Sequence, residues 1–156
     1  MPRQHLLIVY HSQSGTTEAM AQAVIRGARD PAIEGVEVRV RAALDAGPGD
    51  LLWADGVILG TPENFGYMSG GLKTFLDRSY HACLEDTQGL PWALFVRAGN
   101  DGQGAVSSVE RIVAGLRWKA IQAPLVVAGP ADEAAVLPAC EELGLTMAAG
   151  LEAGVF

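Results

Sequence analysis

The chain has 156 residues, of which 49% are hydrophobic and 19% charged, and its formal net charge at pH 7 is −7. This length and composition predict one globular domain, residues 1–156, with a sizeable apolar core. The acidic balance argues against non-specific nucleic-acid binding and against adhesion to anionic membranes, because both need a basic surface.

The N-terminal sequence and the cysteines indicate a cytoplasmic protein. No apolar run approaches the roughly 20 residues that span a bilayer. The first residues enter a short strand-like run without the longer apolar stretch of a signal peptide. Cys83 and Cys140 are far apart, lack a CxxC spacing and fall in apolar helical patterns. We therefore expect two buried, reduced thiols.

Five strand-like runs alternate with helical patterns along the chain. The strands are predicted at residues 6–10, 36–41, 56–60, 92–96 and 124–128. The second run alternates apolar and charged residues like a half-exposed edge strand, and the others are mostly continuous apolar runs, as in a parallel sheet covered on both faces. Apolar stripes at helical spacing fill the gaps, except that Gly47-Pro48-Gly49 predicts a loop with at most one turn of helix over residues 42–52. The alternation predicts an α/β fold with an open, doubly wound sheet.

Three polar, glycine-rich loops follow strands of this sheet, at residues 12–17, 61–69 and 98–104. Ligands of open α/β sheets bind outside the carboxyl ends of the strands, so the three loops are predicted to meet at one ligand site. Their shared position is a stronger signal than any one of the three motifs.

The first loop, with the sequence SQSGTT, has the features of a phosphate site. Its hydroxyls can donate to an anion, Gly15 permits a close approach, and the following helix supplies unpaired amides and a partial positive charge. The loop contains no lysine or arginine, so a phosphate would rest on neutral donors and the helix dipole. An ordinary Ser/Thr helix cap explains the same residues. A P-loop and a GxGxxG dinucleotide fingerprint are both absent.

The second loop is longer than a usual strand-to-helix connection and carries two aromatic residues around a glycine. Phe65 and Tyr67 suit a flat apolar ligand, and Asn64 can bond the polar edge of its ring. The alternative is that Phe65 and Met68 plug the top of the core. The third loop either closes over the other side of the ring or forms an ordinary flexible turn. A phosphate site beside a flat-ring site points to flavin mononucleotide (FMN).

These motifs resemble those of a known family. Residues 12–17 resemble the T/S-x-T/S-G-x-T phosphate loop of flavodoxins. Residues 60–66 and 71–77, GTPENFG and GLKTFLD, resemble the flavin-ring loop and following helix of WrbA-like NAD(P)H:quinone oxidoreductases and NADPH-dependent FMN reductases. The resemblance extends to about Gly129 and implies a flavodoxin-like, doubly wound five-stranded parallel sheet of order 2-1-3-4-5 that binds FMN. The extra segments of WrbA-type reductases, including a histidine-bearing one, have no counterpart here.

The resemblance also implies which residues hold the cofactor. Phosphate contacts are expected at Ser12, Ser14, Gly15, Thr16 and Thr17. Ring contacts are expected at Pro62, Glu63, Asn64, Phe65 and Gly66, with Gly99, Asn100, Asp101 and Gly102 closing the site. No metal-ligand spacing is found, and no catalytic acid or base is named, because a flavin carries the chemistry itself.

The function implied is an FMN-dependent oxidoreductase that passes electrons from NAD(P)H to a quinone or a similar small-molecule acceptor. One alternative is a flavodoxin-type carrier that shuttles electrons between redox proteins, which the charge of −7 suits. Another is a scaffold of the same fold without a cofactor. The acceptor, the choice between NADH and NADPH, and a homo-oligomeric state are left open.

Overall fold

A computed structural model describes residues 2–13 and 15–156, without the side chain of Glu133. The strands in the described residues are β1 (Gln4–Tyr10), β2 (Val36–Ala42), β3 (Gly56–Asn64), β4 (Tyr67–Met68), β5 (Pro91–Ala98), β6 (Lys119–Ala120) and β7 (Leu125–Ala128). The helices are α1 (Gly15–Ala28), α2 (Pro48–Trp53), α3 (Gly70–Cys83), α4 (Gln103–Leu116) and α5 (Glu133–Ala153).

The long strands form one parallel sheet in the order β2-β1-β3-β5, with β6 and β7 beyond β5. β6 pairs with the start of β5 and β7 with its end, so the two together make one interrupted edge strand. Counted over the five predicted strands, this is the order 2-1-3-4-5. The flavodoxin-like fold and its strand order are therefore confirmed.

Helices cover both faces of the sheet, and successive strand residues feed two separate cores. Leu7 and Leu59 belong to the core beneath α2, α3 and α4. Leu6 and Ile58 belong to the core beneath α1 and α5. Continuous apolar strands are what such two-sided burial requires. The central strands β1, β3 and β5 are thereby fixed, and their carboxyl ends hold the three glycine-rich loops at one edge.

α1 and α5 pack closely because glycines remove side chains from their interface. A Cβ at Gly27 would overlap the backbone of Glu141, and a Cβ at Gly144 would overlap the backbone of Val24. Residues 134–153 of α5 are long and apolar enough, by length and composition, to cross a membrane. The sequence predicted no apolar run of that length, so this helix is an exception. However, Leu143 and Met147 of the helix are buried in the core, as in a helix that covers a sheet.

The structure also tests the loop predicted over residues 42–52 and the predicted burial of the two cysteines. The segment predicted as a loop contains the six-residue helix α2, because Pro48 stands in its first turn, where a missing N–H costs nothing. Both cysteines are free and buried, as expected. Burial raises the pKa of the Cys140 thiol to about 11, which keeps it protonated at neutral pH.

Candidate cofactor site

The three glycine-rich loops meet around one cavity of about 320 Å³ at the carboxyl edge of the sheet. The convergence predicted from their positions after strands is therefore found. The cavity is lined by Gln13, Thr16, Thr17, Pro62, Glu63, Asn64, Arg97, Ala98 and Gly99. Its volume lies in the range of small-molecule sites.

The wall formed by the start of α1 contains a buried, unsatisfied hydroxyl. Thr17 is 0% exposed, and its Oγ1 has no hydrogen-bond partner among the described residues. Leaving such a group unpaired costs about 1–3 kcal/mol. Because the helix begins at Gly15, unpaired first-turn amides and the positive end of the helix dipole lie at the same place. An anion oxygen in the cavity would satisfy both.

The rest of the first loop leaves room for such an anion. A Cβ built on Gly15 meets nothing within 4 Å, and this glycine does not have a positive φ. Ser12 is half-buried in the connection between β1 and α1, whereas Ser14 lies outside the described residues. Tyr10 Oη donates to Glu18 Oε2 at 2.7 Å and fixes the first turn of α1 against the sheet.

The second loop is a β-hairpin, which corrects the expectation of a long strand-to-helix loop over residues 61–69. β3 continues to Asn64 and pairs in antiparallel fashion with β4. Phe65 and Gly66 form the two-residue turn, with φ of 52° and 72°. Positive φ at both central residues is the pattern of a type I′ turn, which matches the twist of paired strands. A phenylalanine with positive φ is uncommon, and this one is fully exposed.

The hairpin is attached to α4 by polar and backbone contacts. Glu63 Oε2 accepts a hydrogen bond from the Ala105 amide at 3.1 Å, and the Met68 amide donates to Ser108 Oγ at 3.1 Å. Gly104 lies so close to the Gly66 backbone that a Cβ would overlap its carbonyl. The carboxylate of Glu63 thus satisfies an N–H at the start of α4 while the residue lines the cavity.

The hairpin is also joined to the first loop. Asn64 Nδ2 donates to Gln13 Oε1 at 2.7 Å. Both residues line the cavity, so this hydrogen bond links the wall expected to hold a phosphate with the wall expected to hold a ring. The amide of Asn64 is therefore already paired in this arrangement.

The third loop contributes fewer lining residues than expected. Gly99 lines the cavity, but Asn100 and Asp101 are exposed and outside its lining. Asp101 Oδ1 accepts a hydrogen bond from the amide of Gln103, the first residue of α4, at 3.1 Å. Gly102 is buried and has φ of 72° at the N-cap position, a conformation that favours glycine.

Gln13, Arg97 and Ala98 also line the cavity, although the sequence motifs did not assign them to the site. Arg97 donates to the carbonyls of Val127, at 3.0 Å, and Gly129, at 2.6 Å, and so ties the end of β5 to β7. Among the described residues that line the cavity, Arg97 is the one lysine or arginine. A charged residue near the end of an otherwise apolar strand was the signal available in the sequence.

Comparison with known proteins identifies the family. The model of the family described as NADPH-dependent FMN reductase matches residues 49–133, more than half of the chain. The chain belongs to the NADPH-dependent FMN reductase family. The matched segment includes the hairpin and the third loop, and membership of this family indicates FMN as the cofactor. The resemblance stated from the motifs is confirmed.

The relatives of this FMN reductase family member include a flavodoxin and a quinone dehydrogenase. A flavodoxin of Aquifex aeolicus is 42% identical over 46% of this chain and 38% of its own length. An NAD(P)H dehydrogenase (quinone) of Acidithiobacillus ferrooxidans is 38% identical over 47% of this chain and 46% of its own. The chain thus matches less than half the length of both curated relatives. Among solved structures, a flavodoxin from the domain Archaea has a TM-score of 0.81 and 25% identity, over 96% of this chain and 99% of that one.

Proposed function

We propose that the protein is an FMN-dependent oxidoreductase that takes electrons from NAD(P)H and passes them to a quinone or a similar small acceptor. The observation that carries the cofactor assignment is the buried Thr17 hydroxyl, which lacks a partner among the described residues; Thr17 lies in the first turn of α1 and lines the cavity. The phosphate of FMN supplies the acceptor oxygens that this hydroxyl and the first-turn amides require.

The chain's own residues then have separate tasks. Thr16, Thr17 and the amides that follow Gly15 bind the phosphate. Pro62 and Gly99 shape the opening for the flat ring, and the Gln13–Asn64 hydrogen bond holds the two binding walls together. Bound FMN supplies the electron-transfer chemistry, so the protein needs no acid or base of its own in this assignment.

The guanidinium of Arg97 adds a fixed positive charge to the lining of the cavity. Its hydrogen bonds to carbonyls of β7 and the residue after it hold that charge in place. A cation next to a flavin stabilises the negative charge that the ring gains on reduction. This supports a role for the protein in reduction and not in cofactor storage alone.

A carrier function is the second candidate. The similarity to flavodoxins of Aquifex aeolicus and of an archaeon favours it, and the net charge of −7 suits docking on a basic redox protein. The family match over residues 49–133 and the similarity to a quinone dehydrogenase favour the enzyme.

Two experiments test the proposal. The purified chain is titrated with FMN and with riboflavin, and flavin fluorescence is followed; no saturable FMN binding would leave only the scaffold interpretation. The FMN-loaded protein is then mixed anaerobically with NADPH or NADH. We expect rapid loss of the flavin's visible absorbance and its return when a quinone is added. Absorbance that both nucleotides leave unchanged until a separate reductase is added would establish the carrier instead.

A further inference from the structure

A second and larger cavity lies behind the hairpin, away from the lining described above. It is an open groove of about 530 Å³ between α3 and α4. One wall carries Lys73, Leu76, Asp77 and Tyr80, and the other Gly104, Ser107, Ser108, Arg111 and Ile112. Each set repeats at three and four residues, so each is one face of its helix. Gly66 and Tyr67 of the hairpin close one end.

Small residues on α4 keep the groove open. Gly104 allows the hairpin to approach, and the serines that follow fill little volume. Further along, Gly115 accommodates the Tyr80 hydroxyl, because a Cβ there would overlap it. The ring of Tyr80 is thereby held against α4, and the more exposed ring of Tyr67 stands at the hairpin end. Aromatic rings at both ends suit a flat ligand.

The two basic residues of the groove, Lys73 and Arg111, differ in whether a carboxylate pairs with them. Lys73 Nζ donates to the Asp77 carboxylate one turn away, and this hydrogen bond raises the pKa of the lysine. Arg111 is exposed, and no carboxylate in the described part of the chain lies within 4 Å of its guanidinium nitrogens. The groove therefore offers an arginine without a counter-ion, which is the group suited to a phosphate.

We propose that this groove binds the adenosine 2′-phosphate end of NADPH, with Arg111 recognising the 2′-phosphate. This assignment rests on the proposed function and specifies the electron donor as NADPH instead of NADH. The apolar floor of Leu76 and Ile112 and the tyrosine rings receive the adenine, while the serine at position 107 adds a hydroxyl donor next to Arg111.

The distance along α4 agrees with this assignment. Gly104 touches the hairpin whose other side forms the smaller cavity, and Arg111 lies seven residues further along the helix. At 1.5 Å per residue, the separation is about 10 Å. A dinucleotide that leaves its nicotinamide at the flavin would pass the hairpin and then run about two turns along α4 to reach Arg111.

The test uses adenosine 2′,5′-bisphosphate as the probe and calorimetry on the FMN-loaded protein, with 5′-AMP as the ligand that lacks the 2′-phosphate. We expect the bisphosphate to bind the wild type and Arg111→Gln to weaken it by about tenfold or more, the loss of one charge-assisted hydrogen bond. Arg117→Gln, at the C-terminal end of the same helix, is the matched control and should change nothing. Asp77→Asn should tighten binding, because it removes a negative charge and frees Lys73.

Steady-state kinetics give a second readout that is specific for the cofactor. Arg111→Gln should lower kcat/KM for NADPH by about tenfold and leave the value for NADH unchanged. Equal binding of the bisphosphate and 5′-AMP, or equal binding by Arg111→Gln and the wild type, would overturn the assignment. Bisphosphate binding does not depend on electron transfer. A protein that binds the probe through Arg111 but is not reduced by NADPH would contradict the proposed function alone.

Discussion

Replacing Thr17 by valine should change folding stability and cofactor affinity in opposite directions. The side chain is fully buried, and its hydroxyl has no partner among the described residues. Valine keeps the shape and has nearly the same helix propensity. Removing an unpaired buried hydroxyl should stabilise the cofactor-free protein by about 1 kcal/mol, the lower end of the cost of such a group. For a domain of this size that raises Tm by about 2–4 °C.

The same change should weaken FMN binding. A hydrogen bond from the Thr17 hydroxyl to a charged phosphate contributes about 1.5–3 kcal/mol, so its loss raises the Kd for FMN about 10- to 150-fold. Riboflavin has no phosphate, so its affinity should not change. Thermal unfolding of the cofactor-free protein and fluorescence titration with both flavins measure the three effects.

Ser79→Ala is the matched control. Ser79 is buried in α3 and its hydroxyl likewise lacks a partner in the described part of the chain, but it does not line the cavity. This variant should gain stability without any change in the Kd for FMN. An unchanged Kd for FMN in Thr17→Val, or an equal loss of affinity for riboflavin, would refute the reasoning.

Three further changes test other parts of the site and fold. Gly15→Val should weaken FMN binding while circular dichroism and Tm stay near wild type, because a Cβ there meets only open space and no positive φ is needed; normal FMN affinity would place the phosphate elsewhere. Gly104→Ala should lower both Tm and FMN affinity, since the new methyl group overlaps the Gly66 carbonyl and displaces the hairpin; wild-type values for both would show that the hairpin position is unimportant. Burial, with the hydrogen bond to Glu18, raises the pKa of Tyr10 from 10.0 to about 12. The protonated Tyr10 hydroxyl therefore stabilises the fold fully below pH 10, and this contribution is lost as pH rises towards 12. The excess free energy of unfolding of wild type over Tyr10→Phe, measured in urea, should shrink over that interval. A constant difference would contradict the raised pKa of Tyr10.

The sequence predicted the sheet well because burial on both faces leaves a strong pattern. The runs at residues 6–10, 56–60 and 92–96 have few polar residues, as a central parallel strand buried on both faces requires. Strand order cannot be read from such runs, since every central strand has the same pattern. It came from the resemblance, which carried information on topology that the residues themselves do not contain.

The predictions of a loop at the hairpin and of a loop at α2 were wrong because of the local conformation of particular residues. A two-residue turn with positive φ is normally signalled by Asn-Gly, and Phe65-Gly66 lacks the asparagine of that signal. The close contact between Gly66 and Gly104 of α4 holds the turn instead, and a local sequence pattern does not encode it. Gly47-Pro48-Gly49 predicts a loop with at most one turn of helix, but a proline is favourable in the first turn of a helix, where α2 has it. Arg97 was not assigned to the site, because its position in the cavity depends on how the ends of β5 and β7 meet, which no local pattern encodes.

The way the hairpin is attached has a consequence for how this protein can be altered. Its anchors are the Met68 amide, the Gly66 backbone and the carboxylate of Glu63, whereas the ring of Phe65 is fully exposed and makes none of these contacts. Phe65 can therefore be exchanged, for residues that tolerate its positive φ, without disturbing the fold. A library confined to position 65 would vary the surface next to Asn64 at the edge of the cofactor cavity while the scaffold stays unchanged.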